Sequence, residues 1–413
     1  MFVVVGGGIG GLAAALGLAR VGRSVTVLEK APEFGEVGAG LQLGPNASRM
    51  LDRLGVLNEV HRSAVFPNRL TMCDIHDGNQ IAELDLGRKF KERYDYPYAV
   101  MHRTDLHRAL LDACRSMPAI SLNTGCDVLD VMERGDVHVA VCGDGRKFEA
   151  EAVIGADGIR SVIRARFTGD GEPVDSRYVA YRGAVAMSAM AEHGGLDNVV
   201  LWTGHEIHLV QYPVRRGELY NQVAVFRTPI GANDTDLTEI SAELDRRYAS
   251  ACPHVRRALP TIGRTRRWRL YDREPLAGWS RGRIVLLGDA AHPMLQYLAQ
   301  GACQALEDAV CLSERVRENG NDLERAFVEY EELRAPRTAR VQSNARVFGD
   351  IIHADIAGQL TRNALLKFMA SDDFRYVDWL YGAFDYKQDA DPYRLMQTRT
   401  AKENGDVQSA RPL

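Results

Sequence analysis

The sequence is poor in the features that mark several large classes of protein. Its seven cysteines are scattered, with no CxxC pair and no Cys/His spacing suited to a metal ion, so we expect free thiols, no metal site and a cytoplasmic location. No unbroken apolar run reaches the roughly 20 residues that a membrane helix needs. The 51 basic and 55 acidic side chains are interspersed and give a net charge of −4, which argues against nucleic acid as a partner.

Motifs of several other enzyme classes are also missing. The sequence has no GxSxG, HExxH or GxxxxGK[ST] segment, which disfavours serine hydrolases, zinc proteases and P-loop NTPases. The 413 residues, of which 46% are hydrophobic and 26% charged, indicate two or three folded domains. The apolar stretch 2–19 is similar to a signal peptide, but it lacks a basic start and carries regularly spaced glycines, so we interpret it as folded structure.

A glycine-rich turn follows the first short strand. Residues 2–5 are a β-branched run, and Gly6, Gly8 and Gly11 follow with GxGxxG spacing before an Ala/Leu-rich helix. The first glycine of such a motif permits a tight turn, the second lets the backbone approach a pyrophosphate, and the third lets the helix pack on the strand. The pattern predicts a dinucleotide whose phosphates bind at the N-terminus of the helix.

An acidic residue ends the second predicted strand. Residues 24–28 are rich in β-branched side chains, and Glu29 follows them directly. A carboxylate at this place accepts hydrogen bonds from a ribose diol, which completes a βαβ nucleotide site. This context makes a ligand-free Ala/Gly packing helix the weaker alternative, but it does not distinguish FAD from NAD.

The rest of the chain alternates between two kinds of segment. Residues 152–156 and 284–287 are short apolar runs typical of buried strands, so pieces of one sheet recur along the chain. Residues 178–227 show the period-two alternation of several sheet strands. Residues 322–348 are charged with helical spacing, which predicts a long helix pair after the last apolar strand, and the polar residues from about 399 predict a frayed tail.

Two further motifs follow the predicted buried strands and identify a family. They are Gly155-Ala156-Asp157-Gly158 with Ser161 and Arg164, and Gly288-Asp289-Ala290-Ala291-His292-Pro293 continuing to Gly301 and Glu307-Asp308. Together with the glycine turn they resemble, in the same order, the motifs of the group A flavoprotein aromatic hydroxylases. The resemblance implies that tightly but non-covalently bound FAD occupies the βαβ site, and that Asp157, Asp289, Gly301 and Arg103 contribute to binding it. Without the resemblance, a solvated arginine at a helix start is the weaker alternative for Arg103.

The resemblance also implies an α/β fold, with a Rossmann-like FAD-binding domain of the p-hydroxybenzoate hydroxylase type, a β-sheet substrate domain and a helical C-terminal part. The expected division assigns FAD-binding parts to 1–70, 101–175 and 276–340, substrate-domain strands to 71–100, the β-sheet substrate domain to 176–275, and the helical C-terminal region with its tail to 341–413. The sequence leaves the oligomeric state open, with a homodimer as one option.

Three residues are candidates for binding or deprotonating the substrate. In a strand, His208, Val210 and Tyr212 share one face, and an imidazole and a phenol beside a valine suit a small aromatic acid. His208 is then the candidate base for a phenolic proton, although a lone strand histidine is more often structural. Gln296 stands where many family members have proline, and its amide either orients a substrate or bonds its own backbone. We interpret His292 as a packing residue of its turn.

The resemblance further implies a monooxygenase that uses NADH, with NADPH as the alternative, and O2. The leading expectation is the conversion of 3-hydroxybenzoate to 2,5-dihydroxybenzoate (gentisate) through a flavin C4a-hydroperoxide. The alternatives are hydroxylation of salicylate at C1 or of another hydroxy- or amino-benzoate, and an FAD-binding reductase or other non-oxygenating flavoprotein of the same fold.

Overall fold

The computed structural model describes residues 1–35, 38–193, 196–229 and 237–382, and within these residues the strands form four sheets. The first sheet has a parallel core and one antiparallel edge strand. With strands numbered in chain order, its spatial order is β17 (Ser280–Arg281), β18 (Ile284–Leu286), β11 (Ala152–Gly155), β1 (Phe2–Val5), β2 (Val25–Leu28) and β7 (Ile120–Asn123). The predicted strands at 2–5, 152–156 and 284–287 therefore lie side by side, as a Rossmann-like sheet requires.

The sheet forms because its short strands are apolar on both faces. All four residues of β1, β2 and β11 are buried, which is typical of a parallel sheet covered by helices on both sides. The covering and connecting elements include α1 (Ile9–Arg20), α2 (Pro45–Arg53), α3 (Leu57–Ser63), α5 (Arg103–Arg115), α6 (Val162–Thr168), α9 (Gly301–Asn319) and α10 (Leu323–Ile352). Two small sheets flank this unit, one of β3 (Gly40–Leu43) with β6 (Ala99–His102) and one of β8 (Val128–Arg134), β9 (Val137–Cys142) and β10 (Lys147–Ala150).

The largest sheet is mostly antiparallel. Its spatial order is β16 (Trp268–Asp272), β12 (Val174–Ala186), β15 (Leu219–Arg227), β14 (Ile207–Val214), β13 (Val199–Gly204), β4 (Arg69–Asp74) and β5 (Gln80–Asp85). One face packs against α7 (Leu237–Arg247) and α8 (Pro253–Ala258), where Leu209 joins a cluster with Tyr248 and Val255. The opposite face of β14 turns towards the loop after β18, where Val210 packs near Tyr297. The predicted sheet-rich segment and its two faces are confirmed.

Helices complete the C-terminal part. The helix predicted from residues 322–348 is a single α10 of 30 residues, which continues through Pro336 and is paired with α9. The remaining helices are α4 (Arg88–Tyr94), α11 (Ile356–Leu366) and α12 (Asp378–Tyr381). None of the helices in the described ranges is both long and apolar enough to cross a membrane. All seven cysteines are buried free thiols, and the tail expected from residue 399 lies outside the described residues.

A buried ion cluster joins α9 to α10. Arg334 is completely buried and donates from Nε to Asp308 Oδ1 at 2.7 Å and from Nη1 to Glu307 Oε2 at 2.5 Å. Arg337 donates to both Glu307 oxygens, at 2.6 and 2.7 Å, and Asn46 Nδ2 adds a bond of 2.7 Å from α2. Since each buried charge faces an opposite charge, three helices are held in a fixed relation.

The cluster keeps its acids ionised. Burial works to raise the pKa of Glu307, but Arg337 and Arg334 outweigh it and lower that pKa to about 2, from an ordinary value of 4.5. Because the folded pKa is the lower one, the stabilisation from Glu307 is complete above about pH 4.5 and is lost as the pH falls towards 2.

Removing the central cation tests the importance of the cluster. Arg334→Met should lower the free energy of unfolding by about 3–5 kcal/mol, because Asp308 and Glu307 are left buried with less compensation. Urea unfolding followed by tryptophan fluorescence measures the loss. The matched control is Arg325→Met on the same helix, where an exposed guanidinium bonds Glu329, and its midpoint should stay near that of the wild type. Equal midpoints for the two variants would contradict this account.

Candidate active site

The glycine turn after β1 has no room for side chains. Gly6 has a φ of +108°, and a Cβ there would lie 2.3 Å from the carbonyl oxygen of Ala156. A Cβ on Gly11 would lie 2.0 Å from the carbonyl oxygen of Gly6. Gly8 is the N-cap of α1. The turn therefore packs directly against the segment after β11 and presents bare backbone at the start of α1, as phosphate binding at a helix N-terminus needs.

Glu29 lies over this turn. Its Oε2 accepts a hydrogen bond from the Gly7 amide at 2.7 Å, and its Oε1 accepts one from the Ala31 amide at 2.8 Å. Two backbone donors thus fix the carboxylate at the tip of β2. Each oxygen keeps a further lone pair, so the carboxylate can still accept from a ribose diol.

Helix α5 also contacts the glycine turn. Arg103 is the first residue of α5, and its amide donates to the Ala39 carbonyl at 2.9 Å. One turn later, His107 is buried with Nε2 2.8 Å from the Gly7 carbonyl oxygen, so it donates to the glycine turn. The expected contact of the Arg103 side chain with the cofactor stays a prediction. Sequence analysis missed His107, since no motif marks it.

The Asp157 side chain caps a helix. Its Oδ1 accepts from Ser161 Oγ at 2.5 Å, and its Oδ2 accepts from the Val162 amide at 2.8 Å, at the start of α6. The expected cofactor contact of this carboxylate stays a prediction, because the contacts seen are with its own helix. What the motif does provide is a rigid turn whose backbone packs on Gly6.

Arg164 connects this turn to the loop after β18. Its guanidinium is 1% exposed and donates from Nη1 to the carbonyls of Ala290, at 3.1 Å, and Ala291, at 2.8 Å. On its other side it pairs with Asp170 at 2.6 Å, which also binds Arg273 at 3.0 Å. One buried arginine therefore positions two motifs relative to each other.

The loop after β18 is held by Asp308. The Gly288 amide donates to Asp308 Oδ2 at 3.0 Å, and His292 Nε2 lies 2.5 Å from the same oxygen. His292 is 1% exposed, which fits the packing role expected for it. Asp289, by contrast, is exposed, and its Oδ1 lies 3.9 Å from the position that a Cβ of Gly301 would take at the start of α9. The turn thus directs an acceptor outwards beside a helix N-terminus.

His208 faces this loop from β14. It is 2% exposed, its ring centroid lies 5.7 Å from that of Tyr297, and its Nδ1 lies 2.7 Å from Nε2 of His353. The pKa of His208 lies well below its ordinary 6.5. Burial is the larger cause of this lowering, and the neighbouring His353 is the smaller one. The imidazole is therefore uncharged at neutral pH, which is the form that can take up a proton.

Tyr212 shares the face of His208, as the alternation predicts. The two residues are four apart in a strand, so their Cα atoms are separated by about 13 Å, with Val210 between them. Tyr212 is 3% exposed, and burial raises the pKa of its phenol, against Arg182 and a hydrogen bond with Gln42 that lower it. Its hydroxyl stays protonated and is a hydrogen-bond partner at the far end of this face.

Gln296 begins the segment that passes in front of His208. It is the half-buried first residue of a 3-10 turn, Gln296–Leu298, whose next residue, Tyr297, packs edge-on against both His208 and His353. The structure therefore brings the segment of Gln296 to the strand of His208, while Tyr297 and His353 are site residues that sequence analysis missed.

Known proteins resemble this chain along most of its length. Residues 2–345 match the family model described as FAD binding domain. The chain is 40% identical over 385 residues to the 3-hydroxybenzoate 6-hydroxylase of Klebsiella oxytoca, covering 92% of this chain and 96% of that one. It is 42% identical over 385 residues to the 3-hydroxybenzoate 6-hydroxylase of Polaromonas naphthalenivorans (strain CJ2), covering 92% and 95%.

Solved structures agree with these sequence relatives. The crystal structure of Klebsiella pneumoniae HpxO complexed with FAD and uric acid matches with a TM-score of 0.81 at 26% identity, covering 92% of this chain and 96% of that one. A salicylate hydroxylase substrate complex matches with a TM-score of 0.77 at 25% identity, covering 94% and 96%. The glycine turn, the two aspartate motifs and these matches together show that the chain belongs to the family of FAD-dependent aromatic hydroxylases.

Proposed function

We propose that this chain uses FAD, NADH and O2 to hydroxylate 3-hydroxybenzoate to 2,5-dihydroxybenzoate. The observation that carries the proposal is the buried, uncharged imidazole of His208, on the sheet face that also bears Tyr212 and beside the segment that begins at Gln296. The names of the relatives at 40% and 42% identity support this substrate over other hydroxybenzoates.

The residues present fit FAD. A Cβ at Gly6 or Gly11 would collide with backbone, which suits a turn that a pyrophosphate approaches closely, and Glu29 is fixed above it as a ribose acceptor. Farther along the chain, Asp289 offers an acceptor oxygen, and the N-terminus of α9 offers backbone amide donors. When bound, FAD supplies hydride acceptance from NADH and the activation of O2.

The first step that the protein's own residues contribute is the removal of a proton from the substrate. A phenol has a pKa near 10, so at neutral pH it needs a base to ionise, and His208 Nε2 accepts that proton. The phenolate oxygen then donates electron density to the ring, which makes the ortho and para carbons nucleophilic. We assign the choice of the para carbon to Tyr212 and Gln296, which hold the acid in one orientation.

Burial completes the arrangement. His208 and Tyr212 are at most 3% exposed, so the site face is shielded from solvent. Exclusion of water protects the activated oxygen from release as hydrogen peroxide before it reaches the ring.

Replacing the base tests the mechanism. His208→Ala should lower the rate of 2,5-dihydroxybenzoate formation by about 10²- to 10⁴-fold, because the bound phenol stays protonated. FAD content should be unchanged, and NADH consumed should appear as hydrogen peroxide. Product chromatography and a peroxide assay on the same reaction measure both. His76→Ala, which replaces an exposed histidine on the turn between β4 and β5, is the control and should behave as wild type. Coupled turnover in His208→Ala would refute the base assignment.

A second prediction concerns FAD retention. Asp289→Ala should weaken FAD binding, since the acceptor beside Gly301 is lost, whereas Asp289→Asn keeps one acceptor oxygen and should retain more flavin. Flavin fluorescence measured over a series of dilutions reports the fraction of FAD that has left the protein. These fractions give the dissociation constant of each variant for FAD. Equal constants for wild type and Asp289→Ala would remove Asp289 from the cofactor site.

A further inference from the structure

His353 is the residue in contact with the candidate base. It follows Ile352 at the end of α10, is 6% exposed, and places Nε2 at 2.7 Å from Nδ1 of His208 across 145 positions of sequence. A distance of 2.7 Å between two ring nitrogens is that of a hydrogen bond, so one ring donates and the other accepts.

The ring of His353 is held from two sides. It stacks on Tyr178, with centroids 4.4 Å apart and an interplanar angle of 18°, and the ring of Tyr297 meets it edge-on at 5.3 Å. Its backbone amide donates to the Gly349 carbonyl at 3.1 Å, which fixes the end of the helix. The orientation of Nε2 towards His208 is therefore determined by packing.

The direction of the hydrogen bond follows from the role proposed for His208. Burial lowers the pKa of His353 to about 3, so its ring is neutral and carries one proton. A neutral His208 that accepts the phenolic proton at Nε2 carries its own single proton on Nδ1. Nε2 of His353 is then the acceptor, and His208 Nδ1 is the donor.

We propose that His353 is a positioning residue, which accepts the Nδ1 proton of His208 and so keeps the lone pair of His208 on Nε2 for the substrate. This inference rests on the proposed function. In the step it serves, the phenolic O–H bond breaks, an N–H bond forms at His208 Nε2, and the electron pair stays on the phenolate oxygen. The Nδ1–H of His208 remains bonded to His353, which spreads the new positive charge without itself becoming protonated.

Two substitutions separate this role from packing. His353→Phe keeps a flat ring against Tyr178 but has no acceptor, and His353→Gln loses the ring but extends an amide oxygen to about the place of Nε2. His353→Asn has the same chemistry as the glutamine on a shorter side chain that falls short of His208. The glutamine and asparagine pair therefore remains informative if the phenylalanine variant does not fold.

The readouts are the coupling of NADH oxidation to product and the phenolate absorption of 3-hydroxybenzoate bound to the FAD-loaded protein. His353→Phe and His353→Asn should lose roughly 10- to 100-fold in product formation, the range for removing the partner that orients a functional histidine. Both should also lose the bound-phenolate signal, with FAD content and the rate of flavin reduction by NADH retained. His353→Gln should recover part of both signals.

The possible results distinguish a positioning role of His353 from a packing role. Unchanged phenolate signal in His353→Phe and His353→Asn overturns the inference, and so does an equal loss in all three variants, which would indicate packing alone. The proposed function is judged on the wild type by its product, whereas the role of His353 is judged on the phenolate signal of each variant relative to wild type, so the two can fail separately.

Discussion

The Asp308 carboxylate is the interaction on which the rest of the site depends. It receives hydrogen bonds from the Gly288 amide, from His292 and from Arg334, and so joins helix α9, the loop after β18 and helix α10 at one buried point. A buried carboxylate is stable only with such partners, and the loop can take only the path that supplies them. That path leaves Asp289 exposed beside the start of α9 and sends the following segment past His208.

Helix α10 carries this constraint to the substrate face. Arg334 binds Asp308 near the middle of the helix, and His353 follows the last residue of the same helix, about 28 Å farther along at 1.5 Å per residue. There it meets His208 on the large sheet. One rigid element thus connects the cofactor loop to the candidate base, which gives a physical reason for two sheets whose strands alternate along the chain to form one site.

Sequence patterns predicted the parts of the site that depend on local rules. The glycine turn, Glu29 at a strand tip and the shared face of His208 and Tyr212 all follow from steric limits or from the two-residue period of a strand. The role of Asp157 does not follow from such a pattern, because an acid at a helix start can either bind a ligand or cap the helix. In the structure it caps α6. The contact of His353 with His208 could not be predicted from the sequence. The two residues meet only in the folded molecule, and no sequence spacing encodes that contact.

In the proposed reaction, the chain places one atom of O2 on 3-hydroxybenzoate, para to the existing hydroxyl. The most direct measurement incubates FAD-loaded protein with NADH, 3-hydroxybenzoate and ¹⁸O2 and identifies the product by chromatography and mass spectrometry, with salicylate and 3-amino-4-hydroxybenzoate as parallel substrates. The expected product is 2,5-dihydroxybenzoate that carries one ¹⁸O atom, formed faster than the product of either other acid. Formation of 3,4-dihydroxybenzoate instead, or NADH oxidation that yields only hydrogen peroxide with all three acids, would contradict it.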